Sequence, residues 1–354
     1  MFGAVICCYI RSWDSFIAGF VMWRQKIPNM KNKKIIIAGG SGFIGQALAE
    51  RWGRDNHVVI LGRQMVKAPN NGRDRRPSAA NGYNITYWRW DGRHTEKHWA
   101  NELEGCDMVI NLAGRSVNCR YTDSNRQEII NSRIDATNAI GQAIREATVP
   151  PKLWINAASA TIYRHAQDRP QDEYTGAIST DPDDFSVQVC KQWETAFDGQ
   201  RTPFTRKIAL RTAITLGDGA VMRRFVNLVK WGLGGPQGSG RQMFSWVHIE
   251  DVALAIEWCL EHAEMEGTYN LAAPGPVTNQ NFMAILRQLT GHKRGIPTPV
   301  WLLKIGAMMI GTETELVLKS RWVLPTKLEE SGFVFRYPRV ESALRSLITK
   351  QEVY

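Results

Sequence analysis

The chain has 354 residues, of which 44% are hydrophobic and 22% are charged. These fractions are close to those of ordinary globular proteins, so they exclude a disordered, collagen-like or coiled-coil architecture. The length allows one large domain or two, since a domain has about 150 residues. No apolar run reaches the roughly 18 residues that indicate a membrane span.

The formal charge is +10, with 44 Lys and Arg against 34 Asp and Glu. An excess of basic residues favours anionic partners such as nucleic acid, an anionic membrane or a phosphorylated small molecule. Part of the excess is local, since five basic residues occupy one polar stretch at 63–76. No helix has a basic stripe and no nucleic-acid motif is present, so we favour a phosphate-bearing small ligand over nucleic acid.

The six cysteines show neither paired spacing nor a CxxC motif, so we expect reduced thiols, no disulfide framework and no metal site. This usage is typical of a cytoplasmic protein. Residues 1–29 differ from the rest, because their apolar stretch at 16–23 is too short to span a membrane and no cleavage site follows. Two interpretations stay open: a membrane-touching anchor or, the one we favour, a poorly ordered extension from an upstream start codon.

From residue 30 onward, apolar runs alternate with helical patterns. Strands are expected at 33–38, 57–61, 85–88, 108–112 and 152–158, and helices at 43–54 and about 124–147. Strands that alternate with helices form parallel sheets, which predicts a Rossmann-like, doubly wound α/β domain over residues 30–265. Beyond it, prolines separate short helical stretches, so residues 266–354 are expected to form a smaller, mainly helical C-terminal lobe on the substrate side.

A glycine-rich motif, GGSGFIG, lies between the first predicted strand and the first predicted helix. In this GxxGxxG pattern, Gly39 makes a tight turn, Gly42 lets the backbone approach a pyrophosphate, and Gly45 lets the helix pack on the strand. The helix that opens at Phe43 and Ile44 presents free amides to the anion. The strand before the motif and the helix after it distinguish a dinucleotide site from an ordinary glycine-rich turn.

The residue at the end of the second strand indicates which of the two pyridine dinucleotides, NAD or NADP, a protein of this kind binds. An acidic residue there would bind the 2′-hydroxyl of NAD, whereas an Arg favours the 2′-phosphate of NADP. The second predicted strand ends in Leu61-Gly62-Arg63, and no acidic residue follows before Asp74. The planar guanidinium of Arg63 suits a phosphate. The sequence therefore predicts NADP(H) in preference to NAD(H), with a solvated surface charge as the alternative role of Arg63.

Several motifs resemble those of the extended short-chain dehydrogenases/reductases, the NAD-dependent epimerase/dehydratase group. In chain order they are NLAG (111–114), INAASATIY (155–163), CKQWE (190–194), GLGGPQGSGRQMFSWVHIED (232–251) and VLPTKLEESGFVFRYP (323–338). The last two are similar to the atypical subgroup called epimerase family proteins, which ends in a C-terminal domain of unknown function. The resemblance covers about residues 30–347 and implies that this final domain lies at about 296–347.

The resemblance implies roles for particular residues. Ala113 and Gly114 would lie against the adenine and ribose side of the cofactor, and Ser159 would hydrogen-bond the substrate at the carboxyl edge of the sheet. Arg133 stands near a position at which related enzymes carry Asn, and it could bind a substrate carboxylate or phosphate or anchor a neighbouring helix. Arg241, in the glycine-rich loop, is expected to meet the polar end of the substrate.

The usual catalytic pair of these enzymes, Tyr-x-x-x-Lys, is missing. If Glu194 is the glutamate that often follows the lysine by four residues, the Tyr and Lys positions hold Ser186 and Cys190. A serine hydroxyl is too weak an acid, and a cysteine carries no fixed positive charge. Tyr163 and Cys190 are candidate replacements; the alternatives are packing beside the nicotinamide for Tyr163 and burial as a small apolar side chain for Cys190.

Two functions stay open on the sequence alone. The first is an NADP(H)-binding oxidoreductase or nucleoside-diphosphate-sugar epimerase-like enzyme that acts on a small polar substrate, such as a nucleotide-linked one. The second is a non-catalytic sensor or scaffold that binds NADP(H). For either, we expect a cytoplasmic monomer or homodimer with no nucleic-acid or membrane partner.

Overall fold

The computed structural model describes residues 30–63, 82–309 and 318–352. The predicted N-terminal extension and most of the basic stretch lie outside the described residues. The strands are β1 (Lys34–Ala38), β2 (His57–Gly62), β3 (Ile85–Arg89), β4 (Met108–Asn111), β5 (Leu153–Ser159), β6 (Arg206–Thr212), β7 (Ile214–Leu216), β8 (Met243–Phe244), β9 (Trp246–His248), β10 (Gly267–Leu271) and β11 (Val277–Thr278). The helices are α1 (Phe43–Trp52), α2 (Lys97–Ala100), α3 (Asp123–Glu146), α4 (Phe185–Asp198), α5 (Ala220–Lys230), α6 (Ile249–Glu261), α7 (Asn279–Leu289), α8 (Val300–Met309), α9 (Thr326–Glu330) and α10 (Val340–Glu352).

The central sheet has seven parallel strands in the order β10-β6-β5-β4-β1-β2-β3. The chain begins in the middle at β1, moves to one edge through β2 and β3, and then returns to β4 and runs to the other edge. This reversal between β1 and β4 is the topological switch point, where sheets of this kind bind ligands at the carboxyl ends of their strands. The predicted Rossmann-like, doubly wound α/β fold is confirmed.

Helices cover both faces of the sheet. On one face, Ile35 and Ile37 of β1 share an apolar cluster with side chains of α1 and α6. On the other face, Ile36 shares a cluster with side chains of α3 and α4. Successive side chains of a strand point to opposite faces, and here both faces are buried. The strands therefore appear in the sequence as continuous apolar runs without alternation.

The C-terminal region is mainly helical, as predicted. Its helices α7 and α10 pack with α5 in a further cluster around Phe225, Phe282 and Leu344. Strand β10 lies beyond residue 265 and pairs with β6 at one edge of the main sheet. Within the described ranges, no helix combines the length and the apolar character needed to cross a bilayer.

Candidate functional site

The glycine loop between β1 and α1 leaves no room for side chains at two of its positions. Gly39 has a φ of +75°, and a Cβ atom there would lie 2.8 Å from the backbone nitrogen of Ala113. A Cβ atom on Gly45 would lie 2.5 Å from the Cα atom of Gly40. The loop can therefore pack this tightly against the end of β4, and α1 against its own loop, only with glycine.

Gly42 differs from its two neighbours in the motif. Its φ of −78° is accessible to any residue, and a Cβ atom there would meet nothing closer than the carbonyl oxygen of Gly39 at 3.4 Å. In the described part of the chain, no side chain caps α1 and its first turn holds no acidic residue. The first amides of the helix, including those of Phe43 and Ile44, are therefore available to an anion in the open space beside Gly42.

Arg63 directly follows β2 and is exposed. The end of β2 runs close to the glycine loop, since a Cβ atom on Gly62 would lie 3.4 Å from the Oγ atom of Ser41. Arg63 thus stands beside the glycine loop, on the side of β1 that faces away from β4. This is the position that the sequence predicts for a cation that binds the 2′-phosphate.

Buried amide side chains hold the loop that follows β4. The Oδ1 atom of Asn111 accepts a hydrogen bond of 3.0 Å from the Ala113 amide, which fixes the turn before Gly114. The Nδ2 atom of Asn111 donates to Asn156 at 2.7 Å and to Thr137 at 3.3 Å. Sequence reasoning assigned no role to Asn111 and Asn156, although two polar residues within buried apolar strands were the signal for one.

A cavity of about 210 Å³ lies below the carboxyl ends of the central strands. Its walls are almost entirely apolar and come from β4, β5, β6, β7, β10, α1 and α6 and the loops between them. The side chains nearest the loops are Ile44, Leu112, Ala158, Thr212 and Ala213. The first turn of α1 therefore adjoins both the open space beside Gly42 and this apolar cavity.

Ser159 ends β5 and meets Cys190 of α4. The Ser159 hydroxyl accepts a hydrogen bond of 3.2 Å from the Thr161 amide, and its side chain lies near the Cys190 thiol. Burial and the nearby Glu194 carboxylate raise the pKa of the Cys190 thiol to about 12. Cys190 is therefore a neutral thiol at pH 7, whereas a nucleophilic cysteine would have to be a thiolate.

Tyr163 is buried in a network of polar side chains. Its hydroxyl donates to the Oδ1 atom of Asn270 at 2.9 Å and accepts from Arg211 at 3.0 Å. Burial raises the pKa of the Tyr163 phenol. Arg211 also binds Glu194 through two hydrogen bonds of 2.8 and 2.7 Å. The hydroxyl of Tyr163 is thus engaged by side chains of β6 and β10.

The segment that leads into the C-terminal tail reaches the turn after Ser159. The buried Lys319 ammonium donates to the Thr161 carbonyl at 3.3 Å and forms an ion pair with Asp184. Arg321 donates to the Thr161 hydroxyl at 3.1 Å. Sequence reasoning missed both cations, because nothing in their local sequence indicates contact with a turn so far away along the chain.

Arg133 and Arg241 occupy different surroundings. The Nη1 atom of Arg133 donates to the carbonyls of Arg115 at 3.0 Å and Ile129 at 2.9 Å, and its guanidinium carbon lies 5.0 Å from the ring centre of Trp193. Arg241 is exposed on the loop before β8. Among the described residues, no hydrogen bond or ion pair joins Arg241 to the other candidate site residues.

The parallel sheet, its switch point and the glycine loop together define a Rossmann-type dinucleotide-binding fold. The model of the NAD dependent epimerase/dehydratase family matches residues 35–186, and a domain of unknown function, DUF1731, matches residues 298–347. The chain is 31% identical to the epimerase family protein YfhF of Bacillus subtilis over 321 residues, which are 90% of this chain and 99% of that protein. The chain belongs to the epimerase family proteins of this NAD-dependent family, and the predicted resemblance is confirmed.

Solved structures show the same fold. The human epimerase family protein SDR39U1, crystallised with NADPH, superimposes with a TM-score of 0.73 at 27% identity, over 89% of this chain and 99% of that one. A UDP-N-acetylglucosamine 4-epimerase from Methanobrevibacter ruminantium, in complex with UDP-N-acetylmuramic acid, gives a TM-score of 0.70 at 19% identity. That likeness covers 92% of this chain and 99% of the epimerase, and it concerns the fold alone.

Proposed function

We propose that this protein is an NADPH-binding, epimerase-like oxidoreductase that acts on a small polar, nucleotide-linked substrate. The observation that carries the proposal is the N-terminus of α1, which no side chain of the described ranges caps and which faces open space beside Gly42 at the switch point of the sheet. A diphosphate fits this space because helix amides and a close backbone approach are what such a group requires. The NADPH in the structure of the human relative supports this choice of cofactor.

In this proposal, Gly39, Gly42 and Gly45 shape the loop, and the amides of Phe43 and Ile44 hold the pyrophosphate. Arg63 holds the 2′-phosphate, and the backbone of Ala113 and Gly114 lies against the adenine and ribose side. The apolar cavity beside Ile44 and Ala158 receives the nicotinamide ring. When bound, NADPH supplies a hydride donor.

Ser159 is the residue proposed to meet the substrate. It is partly exposed and lies at the carboxyl edge of the sheet, where ligands of such folds bind. Its hydroxyl can donate to a substrate oxygen while it accepts from the Thr161 amide. Arg241, on its exposed loop, is proposed to bind the polar end of the substrate.

A second candidate function is a sensor or scaffold that binds NADPH without turnover. Two observations favour it: the neutral thiol of Cys190, and the Tyr163 hydroxyl that is already engaged by Arg211 and Asn270. For the enzyme, we expect purified protein to oxidise NADPH with a member of a panel of carbonyl compounds and sugar nucleotides. Ser159→Ala should abolish that oxidation while NADPH still binds, and wild-type protein inactive across the panel would favour the sensor.

The cofactor assignment is tested by fluorescence titration with NADPH and NADH. Wild-type protein is expected to bind NADPH at least about tenfold more tightly, since the 2′-phosphate adds a charge-assisted contact. Arg63→Met should remove most of this preference and leave NADH binding unchanged. Equal affinities of wild-type protein for the two dinucleotides would show that Arg63 does not bind the 2′-phosphate.

A further inference from the structure

A cation lies close to the position of the missing catalytic lysine, and it comes from a different helix. With Glu194 taken as the glutamate that follows the lysine by four residues, that position is Cys190 of α4, and the guanidinium of Arg133, from α3, is among the charged groups that act on its thiol. A Cβ atom on Gly114 would lie 3.2 to 3.3 Å from atoms of the Arg133 side chain. Arg133 is therefore packed between the loop after β4 and the helix that follows β5.

The guanidinium of Arg133 has unused hydrogen-bond donors. It carries five N–H groups. The two on Nη1 donate to the carbonyls of Arg115 and Ile129. The N–H groups on Nε and Nη2 have no acceptor among the residues that the structure describes, and the side chain is only half-buried. Three donors are thus free for a ligand.

The charge of Arg133 is also uncompensated within the described ranges. Two nearby carboxylates, that of Glu194 in α4 and that of Asp184, which caps the N-terminus of α4, are taken by other cations, since Glu194 binds Arg211 and Asp184 binds Lys319. Burial without a carboxylate lowers the pKa of Arg133. Partly buried charges are normally paired with an opposite charge. An unpaired one therefore lowers the stability of the fold unless a ligand supplies the partner.

We propose that Arg133 binds the nicotinamide half of the cofactor, in place of the lysine that α4 does not supply. This inference rests on the proposed function. The sheet divides at its switch point, so that one half of a dinucleotide lies over β1 to β3, beside Arg63, and the other lies over β4 to β6. Arg133 lies against the loop after β4 and near Cys190 of α4, and its free N–H groups match the hydroxyl and phosphate oxygens of that second half.

The proposal is tested with two ligands that share the adenosine half. NADPH contains the nicotinamide ribose, whereas adenosine 2′,5′-bisphosphate does not. Arg133→Gln keeps an amide that can donate to the two carbonyls and removes the charge. It is expected to weaken NADPH binding by about tenfold or more and to leave adenosine 2′,5′-bisphosphate within about twofold of wild type. Arg133→Lys should restore part of the NADPH affinity.

Arg115→Gln is the matched control, because the Arg115 guanidinium is already paired with Glu128 and Asn125. It should leave both ligands unchanged. An Arg133→Gln protein that binds NADPH like wild type, or that loses both ligands equally, would overturn the proposal. If Arg133→Gln does not fold, Arg133→Lys and Arg133→Met are titrated with the same two ligands in its place. An Arg133→Met protein that binds NADPH like wild type, or that loses both ligands equally, would then overturn the proposal. Wild-type protein that binds neither ligand would refute the proposed function itself.

Discussion

Gly42 and Gly45 are three residues apart in one motif, yet their missing side chains serve different purposes. A Cβ atom on Gly45 would collide with the backbone of Gly40, whereas one on Gly42 would enter open space. The fold therefore requires glycine at residue 45, and the proposed ligand requires it at residue 42. A sequence motif alone does not separate these two requirements, because both positions are simply glycine.

This difference predicts opposite effects for one substitution at two positions. Gly42→Ala should keep the free energy of unfolding within about 1 kcal/mol of wild type, because the backbone conformation is ordinary. It should weaken NADPH binding by about tenfold or more, since the new methyl group fills the space beside the helix amides. Urea unfolding and fluorescence titration measure the two effects.

Gly45→Ala is the matched control for that experiment. Its methyl group would lie 2.5 Å from the Cα atom of Gly40, so we expect the free energy of unfolding to fall by about 1–3 kcal/mol. If Gly42→Ala bound NADPH as wild type does, the pyrophosphate could not lie beside Gly42.

At the scale of elements, one carboxylate joins α6 to the C-terminal tail. Asp251 is fully buried in the first turn of α6 and accepts hydrogen bonds from the amides of Arg336 at 2.7 Å and Tyr337 at 3.0 Å. Burial raises the pKa of Asp251 to about 6 from its usual 3.8. The carboxyl group therefore holds a proton in the folded protein over a pH range in which the unfolded chain has released it.

The sign of the resulting pH dependence follows from linkage. Below about pH 4 both states hold the proton, and above about pH 6 neither does. Between these limits the folded state binds more protons, so this group's contribution to the free energy of unfolding falls as pH rises, by up to about 3 kcal/mol. The asparagine side chain in Asp251→Asn cannot ionise, so the free energy of unfolding of this variant should not show this decrease with rising pH.

The measurement is urea unfolding of wild type and Asp251→Asn at several pH values from 4 to about 7. The variant's free energy of unfolding should increase relative to wild type across this range. The other carboxylates are common to both proteins and cancel in the difference. Two parallel stability curves would mean that Asp251 titrates normally in the folded state.

At the scale of the whole molecule, the sequence predicted what is encoded locally. Apolar runs and the glycine loop predicted the parallel sheet, with β2 found at His57–Gly62 against an expected 57–61. The contacts of the Ser159 turn could not be predicted this way. Lys319 is 158 residues from Thr161, and its partner Asp184 caps the N-terminus of α4. Such pairings depend on the packed arrangement of elements, which periodicity does not specify.

The contact between Lys319 and Thr161 has a consequence for biosynthesis. A ribosome makes the chain from its N-terminus, and the sheet strands through β10 emerge before the segment that carries Lys319 and Arg321. Contacts between residues so distant in sequence form slowly, because a long loop must close first. The Ser159 turn therefore stays incomplete in the nascent chain until Lys319 and Arg321 have left the ribosome.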